Sequence, residues 1–480
     1  CTLPLFADME IYMKKGQTVE GLVKRIKFPN EGIVEIPGEE KYLVLKNVLP
    51  GQQVRAAVQR VRKGKAQGRL LEVCRKAPCE IEPPCPHSDI CGGCTYQNLP
   101  YEKQLELKAG QIREIMDSAI NGDYIWEGII PSPRQEGYRN KMEFTFGDQY
   151  KDGPMTLGMH KREGFYDIVS VVNCRIVDED FRNILAFTLE CARQSGLPYY
   201  HRLKHTGWFR HLLVRKAAQT GEILIDIITA SGRAEDNFID AQAVSVMLRD
   251  WTDKLLALKL EGKIKGVLHT INDGLADAVK DEGTEILYGQ DYFYEELLGL
   301  KFKITPFSFF QTNSLGAELL YEKAREYIGD TKDKTVFDLY SGTGTIAQIL
   351  APVAKRVVGV EIVPEAVEAA RENAELNGLN NCAFWAGDVL KIIDDLKEIP
   401  DLIILDPPRE GVHPKALEKI IAFGADRLVY ISCKPTSLAR DIAMFQEHGY
   451  KAERIACVDL FPSTYHIETI CRFVRNKAAQ

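Results

Sequence analysis

Val336-Phe337-Asp338-Leu339-Tyr340-Ser341-Gly342-Thr343-Gly344-Thr345 decides the fold. The apolar half predicts a buried strand. The two glycines let the chain turn tightly into helix-forming sequence, so that backbone N–H groups face a ligand. The next β-prone run, Val357–Val360, ends in Glu361, 23 residues after Asp338, where a carboxylate can accept both hydroxyls of a ribose. Ala383–Gly387 ends in Asp388, placed for an adenine edge, and Leu402–Leu405 ends in Asp406 before a rigid Pro407-Pro408 turn. Leu428–Ile431 stops at Ser432-Cys433, because Pro435 forbids further strand. A helix is expected from near Thr436, with Thr436 or Ser437 as its cap. His466 and Glu468 fall in a late segment before the final strand.

Polar groups at successive strand tips lie on one edge of a parallel sheet, the edge where such sheets bind ligands. A thiol there is where a nucleophile would be placed, whereas isolated cysteines elsewhere mostly pack. Only one nucleotide-binding half is present, which favours a cofactor with a single nucleoside, S-adenosylmethionine, over NAD.

Upstream the pattern changes. A chain of 480 residues with 45% hydrophobic and 27% charged residues predicts a water-exposed protein of two to four domains. No apolar run is long enough for a membrane span. The opening ten residues are left out of the fold, with Met9 or Met13 as the expected start. Residues 13–74 alternate apolar and polar in five bursts (Thr18–Ile26, Gly32–Ile36, Lys41–Lys46, Gln52–Val61, Gly68–Val73), which predicts a small barrel of the OB type. Residues 11–75 hold 14 Lys/Arg against 6 Asp/Glu, although the whole chain carries −7. Arg60, Arg62, Lys63, Lys65 and Arg69 crowd the last hairpin. A basic module on an acidic body predicts contact with RNA phosphates.

Four of the twelve cysteines, Cys79, Cys85, Cys91 and Cys94, fall within sixteen residues. Such clustering favours metal ligation over disulfides. Gly92 and Gly93 let Cys91 and Cys94 wrap toward one centre with Cys85, and Cys174 is the expected fourth ligand, with Cys79 or Cys74 as alternatives. Spacing alone does not separate zinc from an iron–sulfur cluster. A helix is expected from Tyr101 to Ile120, with Leu105, Ile112, Ile115, Met116 and Ile120 on its apolar face, and two more over 179–194 and 236–257. Tyr138-Arg139-Asn140-Lys141 and Phe209-Arg210-His211 each combine basic and aromatic groups of the kind used for stacking and phosphate contact.

In order, Ser308-Phe309-Phe310-Gln311-Thr312-Asn313, Asp338 to Gly344, Asp406-Pro407-Pro408-Arg409, Ser432-Cys433 with Pro435, and His466 with Glu468 resemble the motifs of the RNA (uracil-5)-methyltransferases. With the cysteine segment, the resemblance is to the 23S rRNA branch. It implies an α/β, Rossmann-like class I methyltransferase domain over 301–480, a TRAM barrel over 13–74 and an α+β central domain over 75–300. It assigns Gln311, Tyr340, Glu361 and Asp406 to S-adenosylmethionine, with Asp388 near adenine, and makes Cys433 the nucleophile and Glu468 the base. Cys85, Cys91, Cys94 and Cys174 are similar to its [4Fe–4S] ligand set. It further implies a cytoplasmic monomer acting on 23S rRNA. Lys434 and Ser341 depart from the residues many members carry there, Asn and Cys. A tRNA uracil-5-methyltransferase would share Cys433 and Glu468, and an RNA-binding module without catalysis would need neither. An exocyclic-amine methyltransferase would carry an aromatic residue where Arg409 stands.

Overall fold

The computed structural model describes residues 13–62, 65–164, 166–232, 239–276, 279–396 and 398–476; Met9 and Lys63 lie outside them. Among the described residues, no helix is long and apolar enough to cross a membrane.

The alternating bursts become β1 (Thr18–Lys27), β2 (Glu31–Glu35), β3 (Leu43–Leu45), β4 (Gln53–Arg62) and β5 (Lys65–Arg75). They close into a barrel of order β1-β2-β3-β5-β4, shut by a parallel pairing of β3 with β5. Period-two patterning sends Val19, Val23, Val34, Leu43, Leu45, Val54 and Val58 inward to one core. The cysteine segment, 76–100, has little regular structure and leads into helix α1 (Tyr101–Ala119). The expected stripe on α1 is only partly right. Leu105 is half-buried, and Gln104, Lys108 and Gln111 share the buried face with Ile112 and Met116.

Strand β6 (Ile125–Ile130) is followed by β7 (Lys141–Asp148), β8 (Met155–His160), β9 (Ile168–Ser170) and helix α2 (Glu179–Ser195). Then come β10 (Phe209–Lys216), β11 (Glu222–Thr229), helix α3 (Ala241–Leu256), β12 (Lys263–Ile271) and β13 (Thr284–Gly289). The start of α3 is set by Asp240, whose carboxylate accepts from the N–H groups of Gln242 and Ala243. Excluding β6, these strands make a central sheet of order β13-β12-β11-β10-β7-β8-β9. Helices α2 and α3 cover one face of it through Leu185, Leu248 and Trp251.

Hairpin β14 (Phe293–Leu297) and β15 (Leu300–Ile304) bridges to the last unit, so the expected limit at 300/301 falls inside it. There follow α4 (Ser314–Ile328), β16 (Thr335–Leu339), α5 (Thr345–Leu350), β17 (Arg356–Glu361), α6 (Pro364–Leu376), β18 (Cys382–Ala386) and α7 (Val389–Ile392). The chain ends with β19 (Leu402–Leu405), α8 (Pro414–Ala422), β20 (Arg427–Ser432), α9 (Pro435–Glu447), β21 (Tyr450–Val458) and β22 (Glu468–Arg475). The sheet order is β18-β17-β16-β19-β20-β22-β21-β6. Strands β16 to β20 are parallel, with apolar cores on both faces, and β22 runs antiparallel between β20 and β21. Strand β6, from the region read as the central domain, adds in parallel to β21. The sheet therefore draws on chain from both sides of the central sheet.

Candidate active site

The carboxyl ends of the parallel strands set the site. Strand β16 is in register with β17 and β19, so Tyr340, Glu361 and Asp406 emerge together. Tyr340 takes a left-handed backbone with φ 70°, and Gly342 and Gly344 follow at φ 53° and 73°. Such backbone is costly for a bulky residue, on the order of 1–3 kcal/mol. Here it is fixed by the N–H groups of Tyr340 and Ser341, which both donate to Val360 O. A side chain at Gly344 would meet the Phe384 ring at 2.6 Å. The Glu361 carboxylate bridges the turn, accepting from Gly342 N at 3.0 Å and Val363 N at 2.9 Å. Asp388 spends one oxygen capping α7 at Leu390 N.

Antiparallel β22 brings its first residue to this same edge. Ser432 pairs with Thr469, so Cys433 and Glu468 lie just past that pair on neighbouring strands, near enough for the Glu468 charge to bear on the thiol. Glu468 therefore opens the final strand rather than preceding it. Arg409 stands beside Cys433, its charge favouring the thiolate, and the Arg409 carbonyl is held by the Ser437 hydroxyl at 2.7 Å. Ser437 is thus used for the site and not as a cap; α9 begins at Pro435 with Lys434 as its N-cap. Asp406 is partly exposed, and Glu468 is 5% exposed. The buried Tyr321 hydroxyl is kept protonated by burial and by the charges of Asp406, Glu468 and Asp338, with Gln311 also acting on it. Nothing in the sequence marked Tyr321, because α4 reads as an ordinary amphipathic helix.

The electrostatics follow from burial of like charges. Loss of water, together with neighbouring Asp406, raises Glu468 to about 8. Desolvation raises Asp406 to about 7; Asp338 rises to about 8 by desolvation and the Asp406 charge. Cys433 is pushed to about 11 by burial and Glu468, against the pull of Arg409. A carboxyl near 8 is matched to removing a proton at neutral pH. It also costs stability. The contribution is fully present below the ordinary carboxyl range near 4.5 and is lost as pH rises through about 8, because the unfolded chain ionises first. Glu468→Gln is therefore expected to raise the melting temperature of the cofactor-free protein at pH 9 by roughly 5 °C while leaving it nearly unchanged at pH 5. Equal melting temperatures at pH 9 would mean that the carboxyl is hydrated.

The residues fit S-adenosylmethionine. A nucleoside needs acceptors at the tips of β17 and β18, and Glu361 and Asp388 stand there. The buried Asp338 Oδ1 and Ser341 Oγ beside the glycine turn lack hydrogen-bond partners among the described residues.

A second cluster lies at the central sheet. Cys85, Cys91, Cys94 and Cys174 line one cavity of about 150 Å³ with His87, Arg139 and Met142. All four thiols are free. Burial, and the other three cysteines, push Cys94 to about 12. Gly93 N donates to Cys91 Sγ at 3.4 Å, and Gln97 Nε2 to Cys94 Sγ at 3.6 Å. Arg162 ties the segment by donating to the carbonyls of Ser88 and Cys94. Among the described residues, no group of three or more His, Cys, Asp or Glu side chains is arranged to hold a single metal ion. Cys79 packs instead with Leu49, Ala77, Tyr96 and Leu99, and Cys74 is exposed on β5.

Phe209-Arg210-His211 is corrected outright, and Tyr138-Arg139-Asn140-Lys141 in its aromatic member, while Arg139 and Lys141 stay partly exposed. Arg210 is buried, donating to Asn272 O, Gly274 O and Ala276 O over the Tyr200 ring, and His211 is buried beside it. Neither offers a stacking face. Tyr138 is buried and Asn140 donates to Gln311 O and Ser314 Oγ, which ties the motif to the 305–314 loop.

Two family descriptions match parts of the chain: "Methyltransferase domain" over residues 330–467 and "tRNA (Uracil-5-)-methyltransferase" over residues 254–387. A Clostridium tetani protein described as an uncharacterized RNA methyltransferase is 48% identical over 458 residues, 95% of this chain and 98% of its own. One of Oceanobacillus iheyensis with the same description is 34% identical over 443 residues, 92% of each chain. Among solved structures, the Pyrococcus abyssi tRNA (uracil-54, C5)-methyltransferase in complex with S-adenosyl-L-homocysteine is similar with a TM-score of 0.73 at 25% identity, covering 95% of this chain and 100% of that one.

Proposed function

Because this chain belongs to a family of RNA methyltransferases and is an S-adenosylmethionine-dependent RNA methyltransferase, we propose that it is an RNA (uracil-5)-methyltransferase that methylates carbon 5 of a uridine in 23S rRNA through a covalent adduct with Cys433. The observation that carries this reading is the meeting of Cys433 and Glu468 at the ends of neighbouring strands, with the Arg409 charge beside the thiol. Carbon 5 of uracil is a poor nucleophile. Addition of the Cys433 thiolate at carbon 6 pushes electron density to carbon 5. Bound at the tips of β16 to β19, S-adenosylmethionine supplies the electrophilic methyl group that carbon 5 takes up. Glu468 then removes the carbon 5 proton, and the electron pair expels Cys433. Arg409 favours the thiolate, whose proton must be lost before addition. In this reading Gln311, Tyr340, Glu361 and Asp406 hold the cofactor, with Asp388 near adenine.

The basic barrel is read as a TRAM module that supplies RNA affinity toward the cost of unstacking the uridine, about a few kcal/mol. Cys85, Cys91, Cys94 and Cys174 are read as ligands of a [4Fe–4S] cluster. Four thiols around one cavity, with N–H donors on two sulfurs, suit such a cluster. The likeness to a tRNA enzyme supports a second reading, a tRNA uridine as substrate. Labelled methyl transfer to separate 23S rRNA and tRNA transcripts decides between them. Label is expected in 5-methyluridine of the rRNA alone; label in tRNA alone selects the second reading, and label in neither removes both.

A further inference from the structure

The connection between β21 and β22, Asp459 to Ile467, carries His466 and leads directly into Glu468; besides its own turn bonds, in which Thr464 N and Oγ1 donate to Phe461 O and His466 N to Thr464 Oγ1, it is tied to distant parts of the chain. Four successive carbonyls are each held from another part of the chain. Leu460 O accepts from Asn313 Nδ2 at 2.8 Å, and Phe461 O from Lys108 Nζ at 3.1 Å. Pro462 O accepts from the Tyr138 hydroxyl at 3.0 Å. Ser463 O accepts from the N–H groups of Thr95 and Tyr96 at 2.8 and 2.9 Å, immediately after Cys94. Ser463 N donates to Gln104 Oε1 at 2.7 Å, and Ser463 itself takes a left-handed backbone at φ 66°. At the root of the connection, Lys108 Nζ lies 2.7 Å from Asp459 Oδ1, with both side chains fully buried.

A serine in the left-handed region and a fully buried ion pair are each unfavourable unless the surroundings enforce them. Their concentration five to nine residues before Glu468 has a use. Glu468 is the first residue of β22, paired with Val458 and with no strand residue before it, so the course of the connection sets how closely it stays beside Cys433. We propose that Lys108, Gln104 and Tyr138, with the backbone of Thr95 and Tyr96, are positioning groups that clamp this strap and so fix Glu468 relative to Cys433. The cysteine segment then has a mechanical role toward the reaction: its last residues are one jaw of the clamp, and α1, which follows it, is another. Tyr138 is the third, next to Arg139 in the wall of the cysteine cavity.

This inference rests on Glu468 being the base that releases the adduct. Tyr138→Phe removes one hydroxyl and keeps the ring in its core; Gln104→Leu is a second variant that leaves no buried charge. Each is expected to lower turnover about tenfold, with RNA and cofactor affinities within about twofold of the unaltered protein. Each should also accumulate the covalent RNA adduct and show faster hydrogen exchange at the amides of 460–466. Turnover within twofold, or a loss that follows cofactor affinity and melting temperature in step, overturns the clamp. Glu468→Gln run in parallel keeps the two ideas apart. If it traps no adduct, the covalent reading fails, and the split between turnover and affinity still judges the clamp. If it traps adduct while Tyr138→Phe does not, the clamp alone fails.

Discussion

Incubated with substrate RNA and S-adenosylmethionine, the Glu468→Gln protein is expected to give a shifted band on a denaturing gel, whereas Cys433→Ala gives none. Turnover should fall by at least about a thousandfold in both, the scale of losing a nucleophile or a positioned base. The opposite adduct behaviour follows from the order of the steps. Without Cys433 there is no bond to carbon 6 and carbon 5 stays inert. Without the Glu468 carboxylate, addition and methylation still proceed, but the carbon 5 proton has no acceptor and the sulfur cannot leave. The surroundings sharpen the contrast. Glu468 is raised to about 8 by burial beside Asp406, so the unaltered protein should turn over faster as pH rises from 6 to 8. Adduct formation in Glu468→Gln should instead show no levelling near pH 8 and keep rising beyond it, because it follows loss of the Cys433 proton, which burial holds above the ordinary thiol range. If the two residues only pack at strand ends, neither variant yields an adduct. A shifted band from Cys433→Ala would mean that another nucleophile is at work.

The second large effect concerns the cysteine cavity. Protein purified without oxygen is expected to be brown and to hold about four irons and four sulfides per chain. Cys174→Ser should lose them, because Cys174 comes from beyond β9 to join the three cavity thiols of the 85–94 segment. Cys79→Ser should keep them, since that side chain packs in a separate apolar cluster. Stoichiometric zinc without iron would refute the cluster, and iron retained in Cys174→Ser would refute the fourth ligand. Because Thr95 and Tyr96 follow Cys94 directly, the Cys174→Ser protein should also lose exchange protection around Ser463.

The parallel half of the site was legible in advance for a simple reason. In an α/β sheet, an apolar run followed by a polar residue and a turn places that residue at the carboxyl edge, whatever the rest of the chain does. Tyr340, Glu361, Asp388, Asp406 and Cys433 are all of this kind. The barrel was equally plain, since period-two alternation with turn residues every few positions has few other solutions. Lys108, Gln104 and Tyr138 were not legible as a set. A lysine and a glutamine on a helix read as its solvent face, and only the arrival of Asp459 and Ser463, more than 350 residues later, makes burial tolerable. The basic triplet at Phe209-Arg210-His211 misled for the same reason, because its guanidinium is consumed by the carbonyls of a distant loop.

What the amino-acid order determined by itself is therefore local: strands, turns, the polar residue at each tip, and the cysteine spacing. What only the tertiary structure decided is which distant groups share a space. It added β6 to the far edge of the sheet, brought Cys174 to the 85–94 segment, and turned β22 antiparallel so that Glu468 starts where Cys433 ends. Periodicity reports which face of an element is buried, and carries no term for the partner that buries it.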